Sequence, residues 1–350
     1  MPVMAPLFTI QDGFTYEVTR KIAEGGMGIV YEAAQLGARG FRKRVALKTI
    51  RERFARQKMF MDNFIGEAKL VADLIHTNIV QTYHLGEADG LCFITMEYIN
   101  GVNLEQFRRQ LESKGRQLPK EMAVFIASRI ARGLAYAHAK RGPDGKPLGI
   151  VHRDVNPKNV MIAFEGDVKL TDFGVAKARG YLTDREGEVA VGKPAYMSPE
   201  QADFRVTDKR SDLFSTGVVL LELLLGHNPF RGGSSEESRR NVIEKPLPPF
   251  QAMDPRIDDD LARILAKALE RDPLRRYQSA DDLRDDLEWN IYHKGLGPTN
   301  ETLGRYMREL FGQIPPEAIN GARGSTKLLE NTARTRAGRR GRGSRGLSAA

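Results

Sequence analysis

A chain of 350 residues with 41% hydrophobic and 28% charged residues is a folded protein, too long for one ordinary core, so two packed lobes or one large domain with a tail are expected. Its one cysteine, Cys92, excludes an intramolecular disulfide framework and suits a reducing cytosol. The net charge of +9 is uneven: residues 321–350 carry seven Arg, one Lys and one Glu, which is +7 and leaves +2 for everything before them.

The opening "MPVMAPLFTIQDG" lacks the basic start and apolar core of a secretion signal, so a cytoplasmic location is expected. From residue 14 to 98 the chain reads as strands with one helix interposed: "YEVTRKIAEG", "GIVYEAAQL", "RVALKTI", a helical "MDNFIGEAKLVADLI", then "NIVQTYHLG" and "LCFITMEYI". After the short linker "NGVN" helical patterns dominate, among them "KEMAVFIASRIARGLAYAHA", "DLFSTGVVLLELLLG" and "DDLARILAKALERD". The segment Thr216 to Gly226 contains Glu222 and falls short of the roughly 18 apolar residues that a membrane span needs, so it reads as a buried helix and no span is expected. Leu303, Tyr306, Met307, Leu310 and Phe311 form one apolar helical face that should dock on the body. The predicted layout is a β-rich lobe (14–98), a hinge (97–103), a helical lobe (104–295), an amphipathic helix within 296–320 and a basic, disordered tail (321–350). Two lobes make a cleft, and ligands favour clefts.

The turn "IAEGGMGIVYEA" places Ala23, Glu24, Gly25, Gly26, Met27 and Gly28 between two strands. It does not open a helix, as a dinucleotide-binding turn must, and lacks the Gly-Lys-Ser/Thr ending of a Walker loop. A hairpin whose backbone N–H groups cover phosphates fits better. In "VALKTI" the two-residue period puts Lys48 on an apolar face with Ala46 and Ile50, where a lone ammonium is costly to desolvate. Glu67 likewise interrupts the apolar stripe Phe60, Phe64, Val71 and Leu74 of the following helix. Pairing Lys48 with Glu67 satisfies both and aims the lysine at phosphate oxygens.

"VHRDVNPKNVMI" then crowds Arg153, Asp154, Asn156, Lys158 and Asn159 between "GIV" and "VMI", which read as strand ends. Asp154 is suited to accept a proton from a hydroxyl, Lys158 to neutralise a transferring phosphoryl group, and Asn159 to give an amide oxygen to a hard cation. "VKLTDFG" adds Asp172, a second carboxylate suited to Mg²⁺.

These motifs, with "SPE" following in order, resemble the eukaryotic-type (Hanks-type) serine/threonine protein kinase family, in particular its bacterial branch, over roughly residues 14–295. The resemblance implies the α+β bilobal kinase fold, a small β-rich N-lobe with one helix and a larger, mostly helical C-lobe. It implies ATP and Mg²⁺, with Mn²⁺ as an alternative ion, transfer of the γ-phosphate to Ser/Thr hydroxyls of proteins, and a role in signalling. Val30, Ala46 and Met161 would sandwich the adenine, with Met96 as gatekeeper and Glu97 to Ile99 as the hinge. Lys48 would hold the α/β-phosphates and pair with Glu67, Asp154 would be the base, Lys158 the γ-phosphate contact, and Asn159 with Asp172 the metal ligands. Asp212 would brace the catalytic loop, and Glu200 would form an ion pair with Arg276. Arg153 marks the subclass neutralised by a phosphorylated activation loop; between Asp172 and Ser198 the only Ser or Thr is Thr183, the expected autophosphorylation site.

Two positions depart from the pattern. Ala23 replaces a glycine, and Lys193 stands where the family usually has a threonine that bridges the catalytic Asp and Lys. Lys193 is expected either to pair with Asp154 or to reach the substrate, which leaves activity level and hydroxyl preference open. The insertion Lys140 to Gly149 reads as a surface excursion. A scaffold that binds nucleotide without transfer rests on Lys193 alone. A nucleic-acid-binding module rests on the tail alone, so no specific nucleic acid is expected, and the sequence leaves a homodimer open.

Overall fold

The computed structural model describes residues 5–25, 28–51, 54, 57, 61, 65, 68, 71–88, 90–173, 193–293, 295 and 297–313. β1 (Phe8–Asp12), β2 (Phe14–Glu24), β3 (Gly28–Leu36), β4 (Arg42–Ile50), β5 (Thr82–Ala88) and β6 (Leu91–Glu97) form an antiparallel sheet in the order β1-β2-β3-β4-β6-β5. Alternation builds the two faces of this sheet. Tyr16, Val18, Val45, Leu47 and Phe93 close one small core, while Ile50 and Ile94 meet Phe54, Ala68 and Cys92 on the other side. Met61, Ile65, Ala68 and Val71 are helical, where the sequence places the lobe's one helix, and Phe54 is helical ahead of it, with the non-helical Gln57 between.

β7 (Gly101–Asn103), β8 (Val160–Ala163) and β9 (Val168–Leu170) make a second, three-stranded sheet. Residues 101–103, read above as linker, are thus paired: Gly101 faces Ala163 and Asn103 faces Met161. Asn103 also starts α1 (Leu104–Ser113), accepting from Gln106 N while the Gln106 side chain returns to the Asn103 N–H. The centre of the lower lobe is α2 (Lys120–Ala139), an almost wholly buried helix.

Around it stand α3 (Pro199–Ala202), α4 (Arg210–Leu225), α5 (Ser235–Glu244), α6 (Phe250–Met253), α7 (Asp259–Ala268), α8 (Ala280–Tyr292) and α9 (Asn300–Leu310). Phe125, Ile130, Leu220, Leu265, Leu287 and Leu303 lie in one continuous core. The two sheets are joined through residues 78–80: Val80 N donates to Leu170 O at 2.8 Å and Leu170 N donates to Asn78 O at 2.9 Å.

The triplet "GIV" ahead of the polar loop is not a strand, contrary to the sequence reading. Gly149 turns the chain at φ 62°, and the backbone beyond Val151 is held by a side chain, Asp212, rather than by a sheet partner. The insertion folds back on itself, with Leu148 N donating to Lys140 O at 2.9 Å. Among the described residues no helix is long and apolar enough to cross a membrane.

Candidate active site

Register decides which β residues face the cleft. Lys48 pairs with Val30 on β3 and Ile94 on β6, and Ala46 pairs with Met96, so Val30, Ala46, Lys48, Ile94 and Met96 share one face of the sheet. A cavity below that face is lined by Lys48, Ala68, Ile94, Met96, Asp172 and Phe173. The turn that closes β2 onto β3 is held by Gly25 N donating to Gly28 O at 2.9 Å. A Cβ on Gly28 would stand 2.1 Å from Thr49 O, so this glycine is required by the neighbouring β4 as well as by any approach to phosphate. Glu24 is exposed and pairs with Lys21 and Arg51.

Lys48 Nζ meets Asp172 Oδ1 at 2.6 Å. Burial resists ionisation of Asp172, but the Lys48 ammonium outweighs it, with help from Lys193, and holds the carboxyl below the usual carboxylate range. Asp172 sits at φ 60°, and Arg153 in the polar loop has the same left-handed value, so both carry backbone strain that the surroundings must fix.

The polar loop is fixed from two directions. Asp212, opening α4, accepts His152 N on Oδ2 at 2.8 Å and Arg153 N on Oδ1 at 2.7 Å, and His138 Nε2 lies 2.8 Å from Oδ2. His152 is fully buried: Asp154 N donates to its Nδ1 at 3.3 Å, which leaves Nε2 to donate to Thr171 O at 3.1 Å. One imidazole thereby ties the loop of Asp154 to the residue preceding Asp172, and its ring lies 4.5 Å from that of Phe173.

Asp154 is enclosed by donors. Asn156 Nδ2 reaches Oδ1 at 3.0 Å, and Oδ2 receives both Asn159 Nδ2 at 2.8 Å and Lys193 Nζ at 3.1 Å. Asn159 lies in the turn Pro157–Asn159, its amide nitrogen committed to Asp154 and its oxygen the atom suited to a cation. Lys158, 51% exposed, has its ammonium 3.8 Å from Glu105 Oε2. Among the described residues no group of three His, Cys, Asp or Glu converges as a metal cage, but Asn159 and Asp172 supply the oxygen donors that a hard divalent ion takes together with phosphate oxygens.

The protein kinase domain model matches residues 16–286. The chain belongs to the protein kinase family. A tyrosine-protein kinase of Myxococcus xanthus, MasK, is 35% identical over 298 residues, covering 85% of this chain and 46% of the relative. The serine/threonine-protein kinase PrkC of Bacillus subtilis is 34% identical over 273 residues, covering 78% and 40%. The chain therefore spans less than half the length of these curated relatives. The crystal structure of the Mycobacterium tuberculosis PknI kinase domain superposes with a TM-score of 0.60 at 26% identity, over 82% of this chain and 99% of that one. Bacterial serine/threonine-protein kinases are among the chain's relatives, and the protein kinase family uses ATP and a divalent metal.

In this kinase chain the hinge segment is held at Glu97, whose N–H donates to Gln81 O at 2.8 Å and whose carboxylate meets Lys169 Nζ at 3.0 Å. Met161 is the second residue of β8, opposite Asn103, and Ile99 lies just before β7. In the lower lobe Glu200 and Arg276 form a bidentate buried pair at 2.9 and 3.0 Å. Glu67, Gly26, Met27 and Thr183 lie outside the described residues. Sequence reasoning missed the bridging role of His152 and the buried pair Tyr196 Oη to Glu222 Oε2, at 2.6 Å. Burial raises the carboxyl of Glu222 and the phenol of Tyr196 above their ordinary values. The only sequence signal for this pair was Glu222 within the apolar run from Thr216 to Gly226.

Proposed function

We propose that the chain is an active serine/threonine protein kinase, moving the γ-phosphate of ATP to hydroxyls of protein substrates with Mg²⁺, Mn²⁺ serving as an alternative. The observation that carries this reading is that two pairs, Lys48 with Asp172 at 2.6 Å and Asn159 with Asp154 at 2.8 Å, stand on segments that His152 ties together through Thr171 O at 3.1 Å. Val30, Ala46 and Met161 sandwich the adenine, Met96 stands behind it, and the Glu97–Ile99 backbone hydrogen-bonds its edge. The turn 23–28 covers the phosphates, Lys48 holds the α/β-phosphates, and Lys158 swings from Glu105 to the γ-phosphate. Asn159 and Asp172 hold the ion, which when bound neutralises phosphate charge. Asp154 orients the attacking hydroxyl and takes its proton. Glu67 pairs with Lys48 in the working state, and Thr183 is the autophosphorylation site whose phosphate would neutralise Arg153. The single, buried Cys92 suits the reducing cytoplasm, where we place the catalytic domain.

Radiolabelled ATP with a generic protein substrate tests the reading: wild type transfers label and Asp154→Ala does not. Equal labelling by the two proteins overturns it. Phosphoamino-acid analysis tests the hydroxyl class, for which Lys193 and the likeness to a tyrosine-protein kinase favour a second reading; phosphotyrosine in the product establishes that second reading. Mass spectrometry of protein incubated with ATP checks Thr183 directly.

A further inference from the structure

One lysine, Lys158, follows Asp154 in its loop and another, Lys193, meets its carboxylate, and their settings differ. Lys158 is half exposed, with its ammonium near Glu105 on α1. Lys193, 31% exposed, places its ammonium 3.1 Å from Asp154 Oδ2, and its charge is also felt at Asp172. Its backbone is firmly seated. Tyr196 N donates to Lys193 O at 3.0 Å, Ser215 Oγ donates to Tyr196 O at 2.6 Å, and Asn228 Nδ2 donates to Ala195 O at 3.1 Å, so the turn carrying Lys193 is bound to α4 and the loop after it.

An ammonium has three N–H donors in one compact charge, and Asp154 Oδ2 takes one of them. The transferring phosphoryl group must lie between the carboxylate that receives the hydroxyl proton and the two side chains that hold the ion. A cation seated on Asp154 and acting on Asp172 borders that volume. Charge spreads over the equatorial oxygens of the phosphoryl group as transfer proceeds, and a preplaced donor there stabilises the transition state more than the ground state.

We propose that Lys193 is a further catalytic cation of this kinase, bridging Asp154 and the transferring phosphoryl group. The proposal rests on the kinase reading above. In the step, the substrate oxygen bonds to the γ-phosphorus and the bond from phosphorus to the β,γ-bridging oxygen breaks, with its electron pair leaving on ADP. The hydroxyl proton passes to Asp154, and Lys193 keeps all three of its protons. Lys193 thus adds a donor to the set Lys48, Lys158 and the ion.

The test compares wild type, Lys193→Met, Lys193→Arg and Asp154→Ala in steady-state transfer to a generic protein, and measures calorimetric affinities for Mg·ADP with and without aluminium fluoride, a mimic of the transferring phosphoryl group. Lys193→Met should lower kcat by about 10²–10³-fold, the usual effect of removing one transition-state donor. Its affinity for Mg·ADP should stay at the wild-type level, while affinity for the fluoride complex falls, and Lys193→Arg should recover part of both losses. A Lys193→Met enzyme as fast as or faster than an active wild type overturns the proposal and leaves the kinase reading standing. So does an equal loss of affinity for ADP with and without fluoride. A wild type no faster than Asp154→Ala overturns both.

Discussion

Replacing Arg276 by Met tests how far a buried ion pair remote from the cleft supports the domain. The Arg276 side chain is 0% exposed, and its guanidinium satisfies Glu200 through two bonds of 2.9 and 3.0 Å and the carbonyls of Glu270, Arg210 and Arg271 at 2.9, 2.8 and 3.3 Å. Methionine fills much of the volume but takes the guanidinium donors from all of those oxygens, although Glu200 Oε1 keeps the Ser211 hydroxyl at 2.9 Å. Removing one partner of a buried pair costs about 3–5 kcal/mol. For a domain of this size that lowers Tm by about 6–20 °C, since each kcal/mol is worth about 2–4 °C.

The pH dependence separates this mechanism from simple loss of packing. Burial pushes the Glu200 carboxyl up, but the hydrogen bonds and charge of Arg276 outweigh it, so the folded-state value lies below the ordinary 4.5. The stability this gives is complete above the unfolded value and is lost as pH falls through the folded one. Without Arg276, burial raises the carboxyl, so acidification toward and below that unfolded value protonates Glu200 and relieves the variant. Scanning calorimetry from neutral pH downward should therefore show the gap between wild type and Arg276→Met narrowing with acid. A gap of constant size, or a fall in Tm under about 2 °C at neutral pH, would refute the assignment.

Asp212→Ala strips the His152 and Arg153 N–H groups of their acceptor, at about 1–3 kcal/mol for each unsatisfied donor, and should lower both thermal stability and kcat in the radiometric assay. Gly304→Val puts a Cβ 2.5 Å from Glu165 O; overpacking of this kind costs about 1–3 kcal/mol and should expose α9 to limited proteolysis before the rest of the domain. Chelation with EDTA should abolish transfer reversibly, and Mg²⁺ added back should restore it, as read by incorporation of label.

Much of this architecture is legible in the sequence because charge on an apolar surface is costly. Lys48 on an apolar strand face, the crowded polar loop and Asp172 at a strand end each demand a partner on sequence grounds alone. What the sequence leaves undetermined is which partner is chosen. Its periodicities offer Lys48 the partner Glu67, which lies outside the described residues; the contact of Lys48 with Asp172 at 2.6 Å depends on how the lobes meet and on no local period, so the sequence does not show it. For Lys193 the sequence offers Asp154 or substrate, and the structure places it on Asp154 at 3.1 Å. β1 escapes a sequence reading because "FTIQD" is short and follows directly on the chain start; it becomes a strand by pairing with β2, Ile10 opposite Tyr16. "GIV" fails the other way: three apolar residues resemble a strand end, but Asp212 supplies the hydrogen bonds that a sheet would have given.

The helix beyond the matched family region is mechanically continuous with the site. Asn159 immediately precedes β8, and Asp172 follows the end of β9 by two residues, so the turn joining those strands fixes the spacing of both. That turn is held from below by α9. Arg308 Nη1 donates to Phe164 O at 2.6 Å, Asn300 Nδ2 donates to Asp167 Oδ1 at 2.6 Å, and the rings of Phe164 and Phe311 meet edge to face at 5.7 Å. Gly166 and Gly304 allow helix and turn to touch through backbone alone: a Cβ on Gly166 would stand 1.7 Å from Asn300 O. Leu303, Met307 and Leu310 are fully buried in the same core as α2, which ties this support to the body of the lobe. A break at α9 therefore acts on the hairpin bearing Asn159 and on the segment leading to Asp172 together, while Asp212 secures the loop between His152 and Asp154 independently. The two anchors hold different parts of one constellation, so their losses in kcat should combine rather than substitute for each other.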